Sequence, residues 1–252
     1  MTVTLAQPTR RRPALPQRNG SVVSGSRLRP APLRVLYNSL DVRIPDWVVN
    51  HATFRQWFAS GEFPEEGRVT FLNGEVIFDM SFEQLYSHVR MKTVLTTILN
   101  LLVTSLELGE FFCDGVMISH LGAKVSNNPD GVFVSNASFE NKLVRRVAGA
   151  SAGYIELEGS PDMVLEVVSD SSVKKDTQFL REAYWNADIR EYWLVDARAE
   201  TPEFQILKHT SKGYSPVRSA GGWLKSAVFG KSFRLIAKTN HLGHPTFDLM
   251  LK

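Results

Sequence analysis

Residues 161–170 read Pro161-Asp162-Met163-Val164-Leu165-Glu166-Val167-Val168-Ser169-Asp170. Five of the six residues from Met163 to Val168 are apolar, and three of those are β-branched. A short apolar run of this kind, bounded by Gly159-Ser160-Pro161 and by Ser169-Asp170-Ser171-Ser172, predicts a strand buried on both faces. Glu166 stands in its middle, where an ionised carboxylate is very costly unless a cation, a metal or a set of donors meets it. The fold and the function both turn on what meets that charge.

Outward from this strand the pattern is that of an α/β domain. Arg190 to Asp196 (Arg-Glu-Tyr-Trp-Leu-Val-Asp) is a second buried strand, and Lys174–Asn186 between the two is a helix with Phe179, Leu180, Ala183 and Tyr184 inward. Upstream, Arg68–Phe78 is a hairpin around Asn73-Gly74, the residue pair that favours a type I′ turn. A helix over 50–59 precedes it, and Ser81 caps a long helix over 81–106 with Leu95, Leu99 and Leu102 in its stripe. Phe111–Ser119 reads as one strand, Pro129–Ser135 as a short strand headed by Asp130, 136–160 as irregular with a hairpin near 154–157, and strands follow over 203–236. Together they predict a mixed central sheet flanked by helices, with an N-terminal β-hairpin.

The formal net charge is +3. Residues 1–34 hold seven arginines and no acid, so the rest of the chain carries −4. Residues 1–45 are expected to form a disordered basic tail that touches nucleic acid non-specifically, 46–237 the folded domain, and 238–252 a C-terminal extension. Cys113 is the single cysteine, which excludes an internal disulfide and a Cys-based zinc site and suits a reducing, cytoplasmic setting. The longest greasy region, 94–103, is too short to span a bilayer, so no membrane role is expected.

Asp162 and Glu166 share a strand face but stand ~13 Å apart, too far to share one ion. Asp130 is the better partner for Glu166, although a residue after proline is also ordinary turn chemistry. Glu75 and His88 are accessory candidates; the plainer readings are a turn residue and a surface or half-buried helix residue. Lys174-Lys175 reads most simply as a solvated pair.

Pro129-Asp130, Glu166-Val167-Val168-Ser169, Asp176, Tyr184 and Glu191-Tyr192-Trp193-Leu194-Val195-Asp196, with Leu72-Asn73-Gly74-Glu75 and Ser87-His88, resemble the Uma family, described as "putative restriction endonuclease" and placed in the PD-(D/E)XK nuclease superfamily. The resemblance runs over about 48–237. It implies a restriction-endonuclease-like core in which Asp130 and Glu166 hold Mg²⁺ (Mn²⁺ as a substitute), with the backbone carbonyl of Val167 as a third ligand. The ion would activate water for hydrolysis of DNA phosphodiester bonds. The motif lysine departs: position 168 is Val, and position 180, where the family commonly carries lysine, is Leu. Lys175, then Arg181, are the substitutes. An alternative reading from another class keeps the fold without the chemistry: a catalytically inactive nuclease-fold protein that binds nucleic acid or a protein partner. A third is a metal-dependent hydrolase acting on another substrate. The acidic body would need the tail, or a groove made by a homodimer, to hold DNA.

Overall fold

The computed structural model describes residues 3–5, 33–37, 40–64, 67–150 and 153–252. Three short strands come first: β1 (Val3–Leu5), β2 (Leu33–Tyr37) and β3 (Leu40–Ile44). They correct the expectation of a tail without regular structure at these positions; the remainder of 1–39 lies outside the described residues.

Helix α1 (His51–Phe58) begins at Asn50, whose side chain accepts from the Thr53 amide while Thr53 answers the Asn50 amide, a reciprocal cap. It buries Phe54 and Trp57 against the hairpin of β4 (Arg68–Leu72) and β5 (Glu75–Asp79). Asn73 and Gly74 have φ of 54° and 81°, as a type I′ turn requires. The long helix starts later than its sequence suggests. Ser81 does not cap it; its hydroxyl donates to Asp79 Oδ1 at 2.6 Å. A wide π-helical turn, Leu85–Arg90, leads into α2 (Met91–Ser105), with Val89 N–H bonded five residues back to Gln84 C=O.

The single strand expected over 111–119 is two, β6 (Gly109–Cys113) and β7 (Met117–His120), in different sheets. Asp114 and Gly115, both with positive φ, break the run between them. Then come β8 (Val125–Asn127), β9 (Gly131–Ser135), α3 (Asn136–Glu140) and an antiparallel hairpin of β10 (Val144–Ala148) and β11 (Tyr154–Gly159). The central strand is β12 (Met163–Val167), buried at every position. A second π-helical turn, Lys175–Phe179, precedes α4 (Leu180–Asn186). Last are β13 (Glu191–Asp196), β14 (Glu203–Thr210), β15 (Gly213–Pro216), β16 (Leu224–Lys225), β17 (Ser232–Thr239) and β18 (Pro245–Leu251). Strand β18 corrects the reading of 238–252 as an extension. It pairs with β17 along its length and places Phe247 and Leu249 in the core.

A mixed six-stranded sheet, ordered β15-β14-β13-β12-β9-β6, lies at the centre. Only β12 and β13 run parallel in it, joined by the 174–186 helical segment. A seven-stranded sheet, β1-β5-β4-β8-β7-β11-β10, covers one side. On β12, Val164 and Val168 face that sheet and α4, and Met163, Leu165 and Val167 face α2 and the C-terminal strands. Alternation therefore sends Glu166 to the first side, with Val164 and Val168.

Gly109 turns the chain from α2 into β6 at φ 152°, and an added Cβ would collide with the Val134 carbonyl on β9. Gly109→Ala is expected to cost about 1–3 kcal/mol through backbone strain and a displaced β6, read as a lowered midpoint in urea denaturation. An unchanged midpoint would mean that the turn re-forms without cost.

Among the described residues, no helix is long and apolar enough to cross a membrane.

Candidate functional site

Asp130 and Glu166 meet where β9 begins. The antiparallel register pairs Gly131 with Leu165, so the next step places Asp130 opposite Glu166. Opposite residues in such a pair have Cβ atoms roughly 4.5–5.5 Å apart. Both side chains are buried. Asp130 Oδ2 accepts from the Val167 amide at 2.7 Å. The amide and carbonyl of one strand residue leave on the same side, so Val167 C=O also points past the start of β9, toward Asp130.

Glu166 Oε1 accepts from the Tyr184 hydroxyl at 2.7 Å and from Asn127 Nδ2 at 2.9 Å; Asn127 is held in turn by Thr70, whose hydroxyl donates to its Oδ1. Burial, then the charge of Asp176, push the Glu166 carboxyl well above its usual range despite these donors, and Asp130 adds to the shift. Burial also pushes Asp176 up, to about 6. Lys175 answers them. Its ammonium lies 3.6 Å from Asp176 Oδ1. Burial works against its charge, but Asp176, Glu166, Asp79 and Asp130 outweigh burial and raise its pKa. The solvated-pair reading is thus corrected for Lys175. It fits Lys174, whose ammonium sits 5.0 Å over the Phe179 ring.

An outer shell of charge surrounds Asp130. His88 Nε2 is 3.6 Å from Asp130 Oδ2 and His88 Nδ1 is 3.3 Å from Glu83 Oε2. Lys92 reaches Glu83 at 2.9 Å, Asp114 at 3.0 Å and Asp130 at 3.6 Å; Arg68 reaches Glu83, Asp114 and, at 3.5 Å, Asp130. His88 is buried, not on the surface: its helical turn packs against β18, and its ring lies between Asp130 and Glu83. Burial alone would lower its pKa, but Asp130 and Glu83 on either side raise it to about 9. His88 first, then Lys92 and Arg68, hold Glu83 down at about 2.

These shifts set the pH dependence. A histidine near 6.5 when unfolded and about 9 when folded stabilises fully below pH 6.5, and that gain is lost as pH rises through 9. The whole gain is about 3 kcal/mol. Glu83 runs the other way, full above pH 4.5 and lost as pH falls through 2. In chelator, wild type is therefore expected to exceed His88→Gln in urea stability by about 3 kcal/mol more at pH 6 than at pH 9.5. A difference that does not change with pH would rule out a charged His88.

Not every sequence candidate arrives. Arg181 is turned away, donating to the Tyr214 carbonyl at 3.0 Å, because its one-residue offset from position 180 faces it to β15. Glu75 stays at the hairpin turn opposite Leu72. The hairpin acid that acts on Lys175 is Asp79, four residues along β5, or ~13 Å. Val168 and Leu180 are both fully buried in one apolar cluster, so neither lysine position of the family pattern is open to a cation here. Asn127 and Asp114 were missed: Asn127 ends the short strand β8 and Asp114 stands in the bend between β6 and β7, with nothing local to mark either. Asp162 is structural, paired with Arg190 at 2.9 Å and accepting from the Ser135 amide.

Six acids (Asp79, Glu83, Asp114, Asp130, Glu166, Asp176) thus converge with four bases (Arg68, His88, Lys92, Lys175), a formal excess of two negative charges when every group is ionised. Asp130 Oδ1, Asp176 Oδ1 and His88 Nδ1 are buried there without a hydrogen-bond partner. One ligand atom each from Glu83, His88 and Asp130 lies within 4.8 Å of the others. A formal excess of acid, and carboxylate oxygens that meet cations at 3.5–3.6 Å without a hydrogen bond, are what a divalent cation would satisfy.

The mixed central sheet with its flanking helices is a restriction-endonuclease-like fold. The chain belongs to the Uma2 family, described as "Putative restriction endonuclease", whose model matches residues 51–235. Among solved structures it is similar to a protein from Anabaena variabilis ATCC 29413, titled a putative nuclease belonging to DUF820. Identity is 15%, the alignment covers 72% of this chain and 91% of that one, and the TM-score is 0.53, a likeness of fold. A search of curated proteins gave no match.

Proposed function

We propose that this chain is a Mg²⁺-dependent endonuclease that hydrolyses DNA phosphodiester bonds, with Mn²⁺ as a substitute ion. The observation that carries the reading is the pairing of Asp130, whose Oδ1 is buried without a hydrogen bond, and Glu166 across the start of β9 and β12, with the Lys175 ammonium beside them. The donor set fits a hard divalent cation, since Asp130, Glu166 and the Val167 carbonyl offer only oxygen. When bound, such an ion polarises the phosphate and makes a water more acidic.

The chain's own residues do the rest. Asn127 and Tyr184 fix the Glu166 rotamer through its Oε1. Lys175 keeps its proton and lies where it can orient an attacking water and stabilise charge on the phosphate. Arg68, the most exposed of the four cations, can bind the phosphate from the solvent side, with Lys92 beside it. Asp176 holds the Lys175 head group and so supplies by position the cation that Val168 and Leu180 do not.

The test is nicking of supercoiled plasmid by the full chain with Mg²⁺, with Mn²⁺ and with chelator. Conversion to open circles with either metal and none in chelator is expected. No conversion by folded protein with either metal would leave the inactive nuclease-fold reading, which the apolar residues at 168 and 180 favour.

A further inference from the structure

A cleft of about 780 Å³ opens beside the carboxylates and shares Arg68, Glu83 and His88 with them. Its lining also includes three aromatic rings, Phe58, Phe63 and Phe82, and two further acids, Asp79 and Asp114. Phe63 is set in place by other rings: its centroid is 4.7 Å from that of Trp57, 5.0 Å from Phe58 and 6.0 Å from Phe54, each pair edge to face. Phe82 is 99% exposed and lies on the segment that leads into the helix of His88. A single exposed ring is ordinary. Here the exposed ring shares one cleft with an anchored aromatic wall and with the cations nearest the candidate metal ligands.

We propose that this cleft takes one unstacked base of a single-stranded DNA substrate, with Phe63 and Phe82 as stacking surfaces and Arg68 on the adjoining phosphate. The inference rests on the reading of the site as one that acts on DNA. Three observations support this occupant. The volume lies in the range of pockets that enclose small ligands, room for a base and its sugar. Every base has a π-face, so an aromatic wall accepts any of them, and the guanidinium that ends the wall suits the phosphate beside it. Outside residues 1–34 the chain carries −4, a poor match to the long cationic track that duplex binding uses, whereas one base pocket with Arg68 in its lining needs few charges. In a duplex the base would first have to leave its stack.

The experiment is binding of the full chain to a 12-mer carrying one 2-aminopurine, as single-stranded DNA, as duplex and as single-stranded RNA, in chelator and in Ca²⁺. Expected are saturable quenching of the 2-aminopurine and single-stranded DNA bound at least about 10-fold tighter than duplex. Phe82→Ala, which removes no packing, should weaken the single strand by roughly 5- to 100-fold at an unchanged melting temperature, the loss of about one stacked base. Phe63→Leu should weaken it as well. Equal or tighter binding of duplex, tighter binding of RNA than of DNA, no quenching in either condition, or wild-type affinity in Phe82→Ala would each overturn the inference. Because the readout is binding without cleavage, a catalytically silent chain would still show it. Plasmid nicking with no effect of Phe82→Ala would retain the endonuclease and remove the subsite.

Discussion

Glu166→Gln is expected to lower metal-dependent plasmid cleavage by at least about 10³-fold while leaving the protein as stable as wild type, or more so. The two halves have separate causes. The amide keeps the shape of the side chain and an oxygen for the Tyr184 hydroxyl, but loses the charge that a divalent ion needs. It also removes a carboxyl that burial and Asp176 disfavour in its ionised form. The folded pKa is raised above the unfolded one, so the carboxyl is well tolerated below its unfolded value and costs stability as pH rises toward and through the folded one. At pH 8 in chelator, melting temperature should therefore hold or increase. Wild-type cleavage by a folded Glu166→Gln would sink the metal-ligand assignment. A large loss of stability would show instead that the carboxylate is structural.

Lys175→Met should fail in the opposite way, on both counts. Asp176, Glu166 and Asp130 lose their enclosed counter-charge, and stranding buried charge of this kind costs about 3–5 kcal/mol. The loss should be smallest near pH 4, where Asp176, raised to about 6, is protonated, and largest above pH 7. Cleavage at matched folded fraction should drop by about 10²- to 10³-fold. Arg181→Met is the internal contrast: its guanidinium serves the Tyr214 carbonyl, so its cleavage should stay near wild type. If the effects of the two substitutions were exchanged, the wrong cation would have been assigned.

The parts of this fold that are legible in the sequence rest on short-range rules. The apolar run of β12, the Asn73-Gly74 turn and the short helix read over 50–59 each need only neighbours within a few residues, and each is where the residues place it. Asp130 and Glu166 were readable because a proline and an apolar run frame them. What was not readable depends on distant partners or on backbone detail. The change of sheet within 109–120 turns on the positive φ of Asp114 and Gly115. Burial of His88 depends on Asp130, 42 residues away, and the enclosure of Lys175, read as one of a solvated pair, depends on which way a helix faces after it has docked. Strand β18 alternates only weakly, and its pairing with β17 decides it.

The two π-helical turns, Leu85–Arg90 and Lys175–Phe179, carry His88 on one helix and Lys175 and Asp176 on the other. Such a turn holds one residue more than an α-helix would over the same path. Removing that residue would let the helix close to its ordinary pitch and rotate everything before it by about 100° against everything after. Tyr184 would still face Glu166, but Lys175 would swing off the carboxylates although no side chain had changed. The spacing between Lys175 and Tyr184 thus sets whether both reach Glu166, and an insertion or deletion of one residue there is expected to displace the lysine as fully as its substitution would remove it.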